Sequence, residues 1–172
     1  MLNTRCPCNS GLPFAECCEP ILADIRLAHT PGQVVQARFT AMAAGDMDFF
    51  RKSIVRRFRN RFREDDIRAV SRRLRFRAIR ITREEIIGVL RRQAIVQSRV
   101  TCGKGSKLST HAERTYLQRE TGAWRVTHVD LVTATPPPAG RSRNAPCACG
   151  SGRKYKRCCG STDQIEVVSL GG

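Results

Sequence analysis

The residues best equipped for chemistry are cysteines. The 172-residue chain carries nine: Cys6, Cys8, Cys17, Cys18, Cys102, Cys147, Cys149, Cys158 and Cys159. Eight of them form two tetrads on one skeleton, C-x-C, eight residues, then C-C. The first tetrad lies in "TRCPCNSGLPFAECCEP" and the second in "RNAPCACGSGRKYKRCCG". Alternate residues of an extended segment project to one side, so each C-x-C can aim two sulfurs at one ion. "NSG" or "GSG" follows at once, and Asn9, Gly150 and Gly152 tolerate the positive φ that turns the chain toward its C-C pair. Four thiolates suit zinc in a closed tetrahedron, and iron on four thiolates is chemically possible. A redox-active or disulfide-linked cluster is the competing reading. Metal is preferred because clustered cysteines in a reducing compartment are metal ligands before they are disulfides. A closed site leaves no position for hydrolytic chemistry. Cys102, beside "GKGSK", reads as a small buried hydrophobe rather than a reactive thiol.

Charge is the second signal. The formal net charge is +16, and arginine supplies 26 of the 31 basic residues. Residues 51–92 alone hold sixteen bases against five acids. This suggests an anionic macromolecule as partner: a ribosome, RNA or an acidic protein. A GC-rich coding bias toward arginine is the alternative. Arg56, Arg57, Arg59, Arg61, Arg63, Arg72, Arg73, Arg75 and Arg77 could form a nucleic-acid face. Phe58, Phe62 and Phe76 among them could stack on bases, although core packing with solvated arginines around it is the preferred reading. No apolar stretch approaches the ~20 residues of a membrane span. Nor does the N-terminus show a charged segment leading into an apolar run, so a cytoplasmic location is expected.

A third set of polar residues gathers near a single hairpin. His111 and Glu113 are two apart on an expected strand and share a face, so they could act as an acid/base pair. The competing reading makes them surface residues of an amphipathic hairpin. Tyr116 and His128 are further candidates, whereas Trp124 is expected to pack in the core.

These residues need elements to position them. Thr30 and Pro31 start a helix in "HTPGQVVQARFTAMAAGD", Gly45 ends it, and Asp46 caps a shorter one through Met47, Phe49, Phe50 and Ile54. "EDDIRAVSRRL" reads as a helix opened by Asp65 and Asp66. In "LRFRAIRIT" the alternation of Leu74, Phe76 and Ala78 slips to Ile79 and Ile81, so a strand with an irregularity is expected. Residues 83–92 mix EE, II and a glycine and suit neither period. "QAIVQSRVTC", "LSTHAERTYLQRE" and "WRVTHVDLVTA" read as three sequential strands joined by short turns. The fold class is therefore α+β, with helices first and a curved antiparallel sheet after them. The expected organisation is a cysteine motif at 1–20, an α+β domain at 21–134, a Pro-rich linker at 135–142, a second cysteine motif at 143–160 and a tail at 161–172.

"PCACGSGRKYKRCCG" resembles the SEC-C motif, named after the zinc-binding tail of SecA. The resemblance implies two zinc sites, one on Cys147, Cys149, Cys158 and Cys159, the other on Cys6, Cys8, Cys17 and Cys18. Such a motif at each end of one domain resembles the YchJ family, whose middle is similar to the nuclear transport factor 2 fold, a cone of helices against a curved sheet. "VVQARFTAMAAGDMDFF" is similar to its first helix pair and "AERTYLQRETGAWRVTHVD" to its closing hairpin. That fold implies a pocket, and hence an alternative function as a pocket enzyme or small-ligand binder using His111 and Glu113. The SecA tail is associated with ribosome and chaperone contacts, which implies a similar role for the basic second motif. Its candidate contacts are Arg153, Lys154, Tyr155, Lys156 and Arg157. The first motif has Leu12, Phe14, Ile21 and Leu22 instead, and is expected to dock on the core. The leading reading is a non-enzymatic zinc-binding adaptor.

Overall fold

In the computed structural model, residues 4–61, 63–132, 142, 144–146 and 154 are described. The helices come first. Residues 21–29 are helical in part. Helix α1 (Glu19–Ala23) and a 3₁₀ turn (Ile25–Leu27) bury Ile21 and Ile25.

Helix α2 (Pro31–Ala44) begins and ends where its terminal residues dictate. Thr30 accepts a hydrogen bond from the Gln33 amide while the Gln33 side chain reaches back to the Thr30 amide, a reciprocal capping box. Gly45 closes the helix at φ 75°, a left-handed conformation that costs glycine nothing. Asp46 then caps α3 (Met47–Lys52) by accepting from the Phe49 amide at 2.9 Å. Helix α4 (Glu64–Arg73) has Glu64, Asp65 and Asp66 in its first turn and Arg72 and Arg73 in its last, the arrangement that complements a helix dipole.

Four strands follow, β1 (Arg75–Ile87), β2 (Gln93–Lys104), β3 (Lys107–Glu120) and β4 (Ala123–Val132), in an antiparallel sheet of order β1-β2-β3-β4. The expected slip in β1 is a bulge. The register shifts between Phe76 and Ala78, so Phe76 pairs with Cys102 and Ile79 with Val100. The extra residue brings Phe76 and Ile79 to the same face although they are three apart. The ambiguous stretch 83–92 divides into the end of β1 and a turn containing Gly88 at φ 83°. On β2 the residues Ala94, Val96, Ser98, Val100 and Cys102 are buried, alternating with half-buried neighbours. One face of the sheet thus meets the helices, and among the described residues no element covers the other.

The main core joins this inner face to α2. Val34, Val35, Ala37, Phe39, Val96, Trp124 and Val126 are all buried there. Trp124 is 3% exposed and packs as expected. Cys102 is buried in the same core, and burial pushes its thiol up to about 11, consistent with an inert packing role. A second cluster of Met47, Phe50, Ile54 and Ile67 joins α3 to α4, with Phe58 packed against it. Phe76 meets Phe39 edge-to-face, ring centroids 5.7 Å apart. Phe58 and Phe76 therefore pack, and Phe62 lies outside the described residues. Arg59 donates to the carbonyls of Ile54 and Lys52, so part of the arginine run holds the chain together locally.

Two long-range contacts orient α2 and α3 on the sheet. The Gly32 amide donates to Glu84 Oε2 at 2.8 Å, across 52 residues. Ser53 and Val55 exchange backbone hydrogen bonds with Val126 at 2.7 and 3.0 Å. A carboxylate on a helix N-terminus is worth about 0.5–1 kcal/mol at a partly exposed position, and the Thr30 cap about 1 kcal/mol. Urea unfolding should therefore show losses of this size for Glu84→Gln and Thr30→Ala, with only the former shrinking in high salt. A Glu84→Gln protein as stable as its parent at low salt would show that the contact carries no weight.

Candidate metal centre

The first cysteine motif folds as a reversed loop. The Asn9 amide donates to the Cys6 carbonyl and the Cys6 amide to the Leu12 carbonyl, each at 2.9 Å. Asn9 and Gly11 take φ of 62° and 88°, the left-handed conformation expected of "NSG". Arg5 and Pro13 close the loop as an antiparallel bridge. A 3₁₀ turn (Phe14–Glu16) then delivers Cys17, and Cys18 stands at the start of α1. A turn followed by a helix start thus brings the two adjacent cysteines back to the C-x-C pair.

The four sulfurs of Cys6, Cys8, Cys17 and Cys18 lie within 4.8 Å of one another. Cys8 Sγ is 3.6 Å from Cys17 Sγ, which is 3.9 Å from Cys18 Sγ. These separations are far too long for disulfides, whose S–S bond is about 2.05 Å, and all four thiols are free. A regular tetrahedron with ligands ~2.3 Å from zinc has edges of ~3.8 Å, so the measured separations bracket the value a metal would impose. Cys6, Cys8 and Cys18 are buried and Cys17 is half-buried. The residues present fit a four-coordinate ion.

The electrostatics point the same way. Hydrogen bonding from Cys18 lowers the Cys8 thiol below its ordinary range, whereas the bond to Cys8 raises Cys18. Burial raises Cys17. A dication among the four sulfurs would displace thiol protons and allow every sulfur to ionise. The surrounding groups are mostly local: Ser10 Oγ lies 3.3 Å from Cys17 Sγ, and the hydroxyl of Thr40, on α2, abuts Cys18.

The loop is seated on the domain. Ile79, on β1, donates its amide to the Cys8 carbonyl at 3.2 Å. Ile21 is buried, and Phe14 and Leu22 pack against the main core as expected. Leu12, expected to join them, is instead 50% exposed.

The second tetrad, Cys147, Cys149, Cys158 and Cys159, lies outside the described residues, as do Arg153, Tyr155, Lys156 and Arg157. Pro146 and Lys154 are described and form an antiparallel bridge. This is the same closure as Arg5 with Pro13: each joins the residue before the first cysteine to the one eight positions on. Lys154 is exposed.

His111 and Glu113 fall on the inner face of β3, in register with Val100 and Ser98. Among the described residues no hydrogen bond joins the two. His111 Nε2 bonds to Ser109 Oγ at 2.7 Å, and burial lowers its pKa. Glu113 instead lines a cavity of about 330 Å³ beside Arg38. Arg38 was not singled out by the sequence, because nothing local distinguishes it from the other arginines. Its helical phase beside Val34, Val35 and Phe39 was the available signal, since it places a cation on the apolar side of α2.

The comparisons with known proteins agree with this architecture. The family described as "YchJ, middle NTF2-like domain" matches residues 30–128, and the SEC-C motif matches residues 3–20 and 143–161. A UPF0225 protein of Geobacter sulfurreducens is 31% identical over 167 residues, covering 93% of this chain and 100% of its own length. A UPF0225 protein of Vibrio cholerae is 29% identical over 160 residues, covering 90% of this chain and 99% of its own. The solution structure of a SEC-C motif containing protein from Rhodopseudomonas palustris superposes with a TM-score of 0.68 at 25% identity, over 75% of this chain and 99% of that one. A crystal structure of a SEC-C motif containing protein from Psychrobacter arcticus shares the fold, with a TM-score of 0.63 at 19% identity over 93% of this chain and 98% of that one. The match over more than half of the chain, together with relatives aligned nearly end to end, shows that the chain belongs to the YchJ-like UPF0225 family, in which a nuclear transport factor 2-like domain carries SEC-C motifs.

Proposed function

We propose that the protein is a zinc-binding adaptor that contacts RNA. The observation that carries the zinc reading is the set of four cysteine sulfurs within 4.8 Å of one another. Zinc is preferred over iron because the site is closed, thiolate-only and built into a packed core, the setting of structural zinc. Bound there, the ion supplies cross-linking and no chemistry on a substrate. The second SEC-C motif would hold another through Cys147, Cys149, Cys158 and Cys159. Metal analysis of protein purified without added metal should find near two equivalents of zinc per chain. An analysis without metal, or with iron in its place, would overturn this part of the reading.

RNA is favoured as the anionic partner by the open face of the sheet. Arg80 stands in register with Arg99, and Arg83 and Arg114 both flank Gln97. Like charges directly across a sheet destabilise it, so folding does not call for the Arg80–Arg99 pairing. Tyr116 pairs with His128 on the same face, ring centroids 5.8 Å apart. Aromatic rings among arginines suit bases and phosphates together. The basic second motif, through Arg153, Lys154, Tyr155, Lys156 and Arg157, would extend the same contact to ribosomal RNA.

The test is binding of single-stranded polyuridylate, with ribosome co-sedimentation in parallel. Affinity should fall steeply with salt, and Tyr116→Ala should cost about 1–3 kcal/mol. Absence of binding at low salt would exclude RNA. Capture of acidic proteins under the same conditions would assign the charge to a protein partner instead.

A further inference from the structure

The cavity between α2 and the sheet's inner face holds two opposite charges that do not satisfy one another. Arg38 is only 9% exposed. One of its terminal nitrogens donates to Ser53 Oγ at 3.0 Å, and its guanidinium lies over the Phe50 ring, 3.7 Å from the centroid. Glu113 enters from β3 and accepts no hydrogen bond from any described residue. Among the described residues Arg38 and Glu113 form no ion pair. Across the β2–β3 ladder from Glu113, and outside the cavity lining, the hydroxyl of Ser98 is buried without a partner among the described residues. Burial pushes the Glu113 carboxyl up and draws the Arg38 guanidinium down to about 10, each only partly offset by the other's charge.

Buried polar groups in proteins are nearly always paired. A carboxylate that accepts no hydrogen bond among the described residues, in one cavity with a guanidinium that has donors to spare, therefore describes a site more than a core. The remaining walls are largely apolar, from Val35, Phe39, Phe50 and Leu131, with Thr115, His128 and Asp130 also lining the cavity. About 330 Å³ lies within the range of small-molecule pockets.

We propose that this cavity binds a small organic acid with an apolar body and a hydrogen-bond donor at its other end. The ligand's carboxylate pairs with Arg38, whose fork geometry suits it. Its hydroxyl or amine donates to Glu113. Its body lies against Phe39 and Phe50. Arg38 thus takes the place in the pocket that sequence reasoning gave to His111. The site is separate from the metal centre and shares only His128 with the face proposed for RNA, so its test, which turns on Arg38 and Glu113, stands apart from zinc and RNA.

The test uses the full, metal-loaded chain and three matched probes in calorimetric titration. These are 3-(4-hydroxyphenyl)propanoate, 3-phenylpropanoate, which lacks the donor, and 4-propylphenol, which lacks the acid. The first should bind at least about tenfold tighter than either of the others. Arg38→Gln should erase its advantage over 4-propylphenol, and Glu113→Leu its advantage over 3-phenylpropanoate. Equal affinities for the three probes, or no binding by any of them, would overturn the proposal on the unmutated protein, whether or not the variants fold.

Discussion

Replacing Cys8 by serine is expected to remove one metal equivalent and much of the stability of the middle domain. Cys8 is fully buried, and its carbonyl accepts from Ile79 on β1. Its sulfur is within reach of the other three. Serine offers zinc a hard, poorly acidic oxygen in place of a thiolate. Metal-binding energy is folding energy where no site exists in the unfolded chain. Loss of a structural metal belongs with the largest single-residue effects, about 4–5 kcal/mol. At this chain length that is a fall of roughly 10–15 °C in Tm. The check is metal content together with calorimetry, with and without a chelator. Chelating the parent should reproduce the variant's Tm, and chelating the variant should do little more. A variant that keeps its metal or its Tm would show that the four sulfurs cluster without a structural ion. Cys102→Ser is the control, because that thiol lies outside the tetrad.

Phe39→Ala is the second large effect. Phe39 is 5% exposed on α2 and meets Phe76 edge-to-face. Removing a buried aromatic costs about 3–5 kcal/mol through lost transfer energy and the space left behind. The edge-to-face pair adds about 0.5–1.5 kcal/mol within that total. Phe39 already borders the 330 Å³ cavity, so the new space merges with existing space and the cost should fall near ~3 kcal/mol. Phe39→Leu should lose about half as much. Urea unfolding measures both, and a loss below about 1 kcal/mol for the alanine variant would mean that the ring is solvated.

The parts of the structure legible in the sequence are those fixed by neighbours along the chain. Thr30, Pro31 and Gly45 bound α2 because caps and left-handed turns are local. The slip from Phe76 to Ile79 announces a bulge because side chains alternate by two. The tetrad is legible because its loop closes within thirteen residues, from Cys6 to Cys18. What escaped is set by partners far away. Glu84 reads as one of two adjacent acids until α2 brings Gly32 to it. Arg38 reads as one arginine of 26 until the sheet sets Glu113 opposite. The same distance explains why Leu12 looked like a docking residue: its hydropathy is local, but the surface it would cover is not. Phe58 and Phe76 were ambiguous among arginines, and packing against residues remote in sequence decided them.

The hydrogen bond from Ile79 to Cys8 has a consequence beyond stability. β1 is an outer strand of the sheet, and Ile79 spends an outward-facing amide on the cysteine loop. An uncovered outer strand is a template for pairing with another chain. Further along, β1 ends in a turn where Val89 and Leu90 are exposed, which makes that border stickier still. The cysteine loop thus covers part of a strand border that would otherwise be open to pairing with another chain. If the loop holds the proposed ion, loss of that ion would be expected to uncover this border and favour aggregation.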